Sequence, residues 1–113
     1  MWFEIPADDN EEEKEFKEIT ENPIILDFSQ CKYWLQVHEV LKEKFCLPEY
    51  YGKNWDALWD CLRDRFEPED NFEIRICGYH TMPENWQQAC LKMFKIFDRV
   101  QDENPNIKFI FTD

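Results

Sequence analysis

The most constraining stretch of this chain is Leu47-Pro48-Glu49-Tyr50-Tyr51-Gly52-Lys53-Asn54-Trp55-Asp56-Ala57-Leu58-Trp59-Asp60-Cys61-Leu62. Three of its residues restrict the backbone independently. Pro48 pushes the residue before it out of the α region, so a preceding helix ends around Phe45-Cys46-Leu47. Gly52, one of only two glycines, marks a point where the chain takes a positive φ or lets another group come close. Asn54 has the side chain of a helix N-cap, able to accept a backbone N–H two or three residues on. The stretch reads as a tight loop that opens a helix at Trp55.

At 100° per residue that helix has two faces. Trp55, Leu58, Cys61, Leu62 and Phe66 share an apolar arc, with Trp59 at its border. Asp56, Asp60 and Asp64 lie opposite, at i, i+4 and i+8. Like charges at i,i+4 disfavour an isolated helix by roughly 0.2–0.5 kcal/mol per pair, and Asp is a poor helix former. Asp56 suits the helix dipole in the first turn. Asp60 and Asp64 have no such local reason, and an uncompensated breach of a local rule marks a candidate functional surface.

The rest of the chain supplies a scaffold. Pro23-Ile24-Ile25-Leu26-Asp27-Phe28 is a short continuous apolar run, as expected of a strand buried on both faces of a parallel sheet. From Lys32 to Phe45, Trp34, Val37, His38, Leu41 and Phe45 recur at helical spacing. His38 borders that stripe and reads as a packed side chain with one hydrogen-bond partner. Glu67-Pro68-Glu69-Asp70-Asn71 is a polar turn. Phe72–Gly78 alternates apolar and polar, as a second strand does. Thr81-Met82-Pro83-Glu84 has the spacing of a capping box, with proline inside the first turn. Trp86, Cys90, Met93, Phe97 and Val100 form the inward stripe of a long helix that Asn104-Pro105-Asn106 stops. Ile107–Phe111 is the last strand. Strands separated by helices favour an α/β fold, a three-stranded parallel sheet with right-handed crossovers.

Charge and composition narrow the function. The 113 residues make one domain. The formal net charge is −12, of which residues 1–22 carry −7. That segment reads as a solvated, frayed acidic extension, in which Glu11–Glu18 could form a weakly held helix anchored by Phe16 and Ile19. Residues 23–113 form the folded domain. Acidity argues against nucleic acid as a direct partner and suits a basic protein. No signal peptide or membrane-length apolar run is visible. The five cysteines are odd in number and contain no C-x-x-C, which fits reduced, cytoplasmic thiols.

Chemistry of an enzyme is not legible. The two histidines, His38 and His80, lie in different elements. There is no metal-ligand spacing, no glycine-rich phosphate loop and no cofactor motif. Asp56 and Asp60 on an exposed helix would both stay ionised, which suits charge presentation better than proton transfer. A hydrolase built from Cys and His is the distant alternative, since the cysteines fall within apolar patterns.

The sixteen-residue stretch resembles the signature of the barstar family, intracellular inhibitors of barnase-type ribonucleases. The likeness spans Leu47 to Leu62, with Lys53 and Trp55 in variable places. It extends upstream through His38, Leu41 and Lys42, and covers roughly 90 residues in element order. It implies a three-stranded parallel sheet with helices packed around it, and a 1:1 complex with a basic ribonuclease. It also implies residue roles. Asp60 would enter the ribonuclease's cleft and meet its phosphate-binding cations, and Asp56 would meet a second arginine at the cleft edge. Tyr50, Gly52, Asn54, Trp55 and Trp59 would line the contact. Each has a plainer alternative: Trp55 and Trp59 as core, Asn54 as a cap, Gly52 as a turn.

Two features depart from the family pattern. Arg63-Asp64-Arg65-Phe66 stands where well-known members have a small-Gly-Trp sequence, and two arginines near the acidic face would weaken attraction to a cationic cleft. The family's late-helix acid falls at Ile96, with Asp98, Asp102 and Glu103 nearby. The partner implied is therefore a divergent ribonuclease, such as the toxic domain of a bacterial competition system, with this chain as its immunity protein or antitoxin. The alternative is an acidic interaction module of the same fold that does not inhibit a nuclease.

Overall fold

Ile24, Leu26, Ile74, Ile76 and Ile107 expose no surface, and together they floor the core. The structure, a computed structural model, describes residues 18–112. The five residues lie on strands β1 (Ile24–Asp27), β2 (Phe72–Cys77) and β3 (Ile107–Phe111). The strands pair in the order β1-β2-β3, both pairs parallel. Ile24 stands beside Ile74 and Ile74 beside Phe109; Leu26 stands beside Ile76 and Ile76 beside Phe111. The α/β expectation of a three-stranded parallel sheet holds.

Helices α1 (Leu35–Lys44), α2 (Trp55–Arg65) and α3 (Glu84–Glu103) complete the fold. Their inward residues join the strand residues in one hydrophobic cluster that includes Val37, Leu41, Leu58, Leu62, Met93 and Phe97. Helix α3 lies over β3 through aromatic contacts. Phe97 stacks on Phe109 at 4.3 Å, and Phe94 meets Phe111 edge-on at 4.9 Å. Such pairs add about 0.5–1.5 kcal/mol beyond the area they bury.

The sheet corrects the expectation that β1 is covered on both faces. Ile25 is half-buried and Asp27 exposed, and on β2 the outward Glu73 and Arg75 pair with each other. One face meets the core and the other carries polar groups. The apolar run at 24–26 reflects a strand short enough for one half-exposed isoleucine to break the alternation.

Helix ends explain much of the chain path. Helix α1 stops with Leu47 N–H donating to Lys42 O and Cys46 N–H to Glu43 O, at 2.9 and 3.2 Å. This is the paired closure of a Schellman end. Its left-handed residue is Cys46, with φ 55°, where glycine is usual. The helix therefore ends by its own hydrogen bonds, just before Pro48 forbids continuation.

The capping box at 81–84 does not form. Thr81 closes a short 3-10 turn, Tyr79–Thr81, by donating its hydroxyl to Gly78 O at 2.6 Å. Helix α3 instead starts at Glu84, and Pro83 O accepts from the Trp86 and Gln87 amides. With Pro83 at the N-cap, Glu84 is the first helical residue and not the third, so the box is out of register.

Ile19, within the acidic extension by sequence, is buried against the domain. Asn22 ties the start of β1 to its neighbour, donating to Asn71 O and accepting from the Glu73 amide. Phe16 and the acidic run up to Lys17 lie outside the described residues, and Glu18 is exposed and not helical.

Candidate functional site

The loop from Phe45 to Asn54 is held to α1 from several sides, and this gives α2 its position. Tyr51 donates its amide to Pro48 O at 3.0 Å, closing a turn. The Tyr51 hydroxyl and His38 Nδ1 are 2.8 Å apart, and both residues are buried. Lys42 pairs with Glu49 at 2.9 Å, and Lys53 with Glu39 at 3.8 Å. Burial, with Lys53 adding to it, pushes the His38 imidazole below its usual value, so the ring is neutral near pH 7. His38 is the packed, singly bonded histidine its sequence position suggested.

Asn54 caps α2 as expected. Its backbone is extended and its side-chain oxygen accepts from the Ala57 amide at 2.8 Å. Gly52 acts differently from one expectation. The left-handed residue is its neighbour Lys53, with φ 57°. Gly52 serves by allowing close approach, since a Cβ there would lie 3.3 Å from Ala57 Cβ and 3.4 Å from Asn54 Nδ2.

The helix presents the expected faces. Leu58, Cys61 and Leu62 are buried, Asp56 is exposed and Asp60 half-exposed. Asp56 and Asp60 are thus one turn apart, with Cβ atoms about 6 Å apart, on a rigid, capped helix. Tyr50 is exposed beside the start of the helix. Trp55 is half-buried in an aromatic cluster. Its ring is 4.7 Å from His38 and 5.8 Å from Trp34, which in turn packs against Trp86. Trp55 therefore contributes to both core and surface.

Two arginines modify the acidic face. Arg63 Nη2 is 2.7 Å from Asp60 Oδ1, and Arg63 Nε is 3.7 Å from Asp64 Oδ1. The aspartates that seemed uncompensated thus share one guanidinium. Arg99, from α3, lies over the Trp59 ring at 4.0 Å, a cation–π contact. Arg65 is not on this face, because it donates to Phe45 O at 2.8 Å and ties α2 to the end of α1. Arg99 was not legible in the sequence, because only the packing of α3 on α2 brings it to Trp59.

Among the described residues, no three His, Cys, Asp or Glu side chains gather as a metal site. All five cysteines are free thiols. Burial pushes the Cys90 thiol up to about 12 and moves Cys31 the same way, so both are poor nucleophiles. No helix among them is long and apolar enough to cross a membrane.

A family model described as "Barstar (barnase inhibitor)" matches residues 22–112. The "Putative ribonuclease inhibitor YrdF" of Bacillus subtilis (strain 168) is 49% identical over 39 residues. That alignment covers 34% of this chain and 43% of the relative.

Proposed function

The chain belongs to the barstar family, and on that premise we propose that it is a protein inhibitor of a basic ribonuclease or ribonuclease-type toxin. The family's description is that of an inhibitor, not an enzyme. Inhibition works by occupation. A ribonuclease binds the phosphates of its substrate with cationic side chains, and two carboxylates one turn apart on a rigid helix can take their place.

The observation that carries this reading is the capped α2, which presents Asp56 and Asp60 together beside the loop that His38 anchors. Asp60 enters the cleft and accepts charge-assisted hydrogen bonds from its arginine or lysine side chains. Asp56 meets a second cation at the rim. Tyr50, Gly52, Asn54, Trp55 and Trp59 form the surrounding contact, where aromatic side chains give area at little entropic cost. The complex is 1:1, and the chain acts in the cytoplasm as an immunity protein or antitoxin of a bacterial nuclease system.

The test is inhibition of a purified barnase-type ribonuclease by the wild-type chain and by Asp60→Ala, at low and high salt. Strong, salt-sensitive inhibition that Asp60→Ala cripples is the expected result. Equal inhibition by both proteins removes Asp60 from the mechanism. The second reading, an acidic interaction module that does not inhibit nucleases, is favoured by the Arg63–Asp60 pair, and it predicts no inhibition by either protein.

A further inference from the structure

We propose that Arg63 is a specificity-determining residue that holds Asp60 in the free protein as a stand-in for the partner's cation and passes to Asp64 when a ribonuclease docks. This rests on the reading of α2 as a ribonuclease-binding helix. The geometry supplies both ends of the transfer. The guanidinium is 2.7 Å from Asp60 and 3.7 Å from Asp64. All three side chains are 43–49% exposed, so solvent and an incoming group reach them. The triad lies on one helix, at i, i+3 and i+4, and needs no movement of the backbone.

A ribonuclease cleft brings its own cations to Asp60. Arg63 is then repelled by like charge in a site that is losing water, where such repulsion strengthens. Asp64 gives it a second carboxylate without leaving the helix. Asp60 is thereby released to the partner. A nuclease whose cations are too few or too distant cannot displace Arg63, and is refused. The arginine thus raises the threshold for binding, and the otherwise unfavourable run of aspartates at 56, 60 and 64 acquires a reason. Exposed ion pairs of this kind are worth little in stability, which keeps the exchange easy.

The experiment measures the affinity of a purified barnase-type ribonuclease for the wild type, Arg63→Ala, Asp64→Ala, Asp60→Ala and the double variants with Arg63→Ala. Arg75→Ala serves as a charge control, since Arg75 lies on the sheet and pairs with Glu73. Arg63→Ala is expected to tighten binding by roughly two- to fivefold at low salt, and the gain should shrink as salt screens the charges. The gain should vanish in the Asp60→Ala background. Asp64→Ala should weaken binding in the wild type by more than it does in the Arg63→Ala background. Inhibition by Arg63→Ala of an enzyme that the wild type ignores would also support the proposal. If Asp60→Ala cripples binding but Arg63→Ala does not improve it, the proposal falls and the ribonuclease reading stands. A gain that Arg75→Ala reproduces, or that survives Asp60→Ala, reduces it to a general charge effect and overturns it. No binding by any variant defeats the ribonuclease reading and this proposal together.

Discussion

His38 on α1 and Tyr51 in the loop before α2 meet at 2.8 Å inside the core, and that bond links the scaffold to the proposed binding surface. Neither side chain touches the acidic face. Together they fix the loop from which Asn54 starts the helix. Tyr51→Phe leaves His38 Nδ1 without this partner in a buried site, and is expected to destabilise the protein by about 1–3 kcal/mol. Urea unfolding at pH 7.5 measures it. A change below a few tenths of a kcal/mol would mean that the bond does not hold the loop.

Burial of His38, with Lys53 adding to it, sets a pH dependence. His38 has a folded value below the unfolded value of about 6.5. Between the two, the unfolded chain binds more protons than the folded one, so stability falls as pH drops. The loss begins near pH 6.5 and continues down to the folded value. Asp27 adds a separate loss in more acid solution. The Ser29 hydroxyl and then the Ser29 amide hold its carboxyl below 3.8 in the fold. Unfolding free energy measured from pH 8 to pH 5 should decline below about pH 6.5 in the wild type. His38→Gln should flatten that window, and an unchanged slope in this variant would assign it to another group.

Gly78 is the place where a side chain cannot be added. Its φ is +79°, and a Cβ would overlap the backbone nitrogen of Ser29 and lie 2.9 Å from Ser29 Cα. Both β1 and β2 end at this contact, so neither backbone can move aside without breaking the pairing of Asp27 with Cys77. Gly78→Ala is expected to lower stability by more than about 2 kcal/mol. Gly52→Ala meets only side-chain atoms at 3.3–3.4 Å with no positive φ, and should lower it by less. Equal effects in thermal melts would contradict this ranking.

These residues also show what could be read in advance. The strands and the inward stripes of α1 and α3 follow from hydrophobic spacing, because burial of apolar area dominates there. The cap at Asn54 is legible because its hydrogen bond is local, to Ala57. Asp56 and Asp60 could be placed on one face from helical periodicity alone, and the resemblance gave that face a partner. The capping box at Thr81 fails because a 3-10 turn at Tyr79–Thr81 precedes the helix, which starts only at Glu84. In the loop before α2 the positive φ falls on Cys46 and Lys53 and not on Gly52. Such positions are set by hydrogen bonds of the surrounding loop, not by residue type. The cation over Trp59 depends on how α3 packs against α2, and no local pattern encodes it.

Asn54 offers a test of how far the cap governs the surface. Asn54→Ala removes the acceptor for the Ala57 amide and should destabilise the protein by about 0.5–2 kcal/mol, while Asn54→Asp should restore most of the loss. Because Asn54 also lines the proposed contact, Asn54→Asp should recover stability more fully than inhibition. Equal recovery of both would limit Asn54 to its role as a cap.

Asp56 and Asp60 should separate when stability and inhibition are measured side by side. Asp56 is exposed in the first turn of α2, where its charge favours the helix dipole by about 0.3–1 kcal/mol. Asp56→Ala should therefore lower stability as well as inhibition. Asp60 lies past the first turn, and its pair with Arg63 is an exposed one, worth about 0.2–1 kcal/mol. Asp60→Ala should leave the melting curve nearly unchanged, yet weaken inhibition by about 1.5–3 kcal/mol, or roughly 10- to 150-fold, the range for a hydrogen bond to a charged group. At 1 M salt, where screening acts over about 3 Å, the effect of Asp56 at the rim should fade before that of Asp60 inside the cleft. The reverse order would exchange their places, with Asp56 in the cleft and Asp60 at its edge.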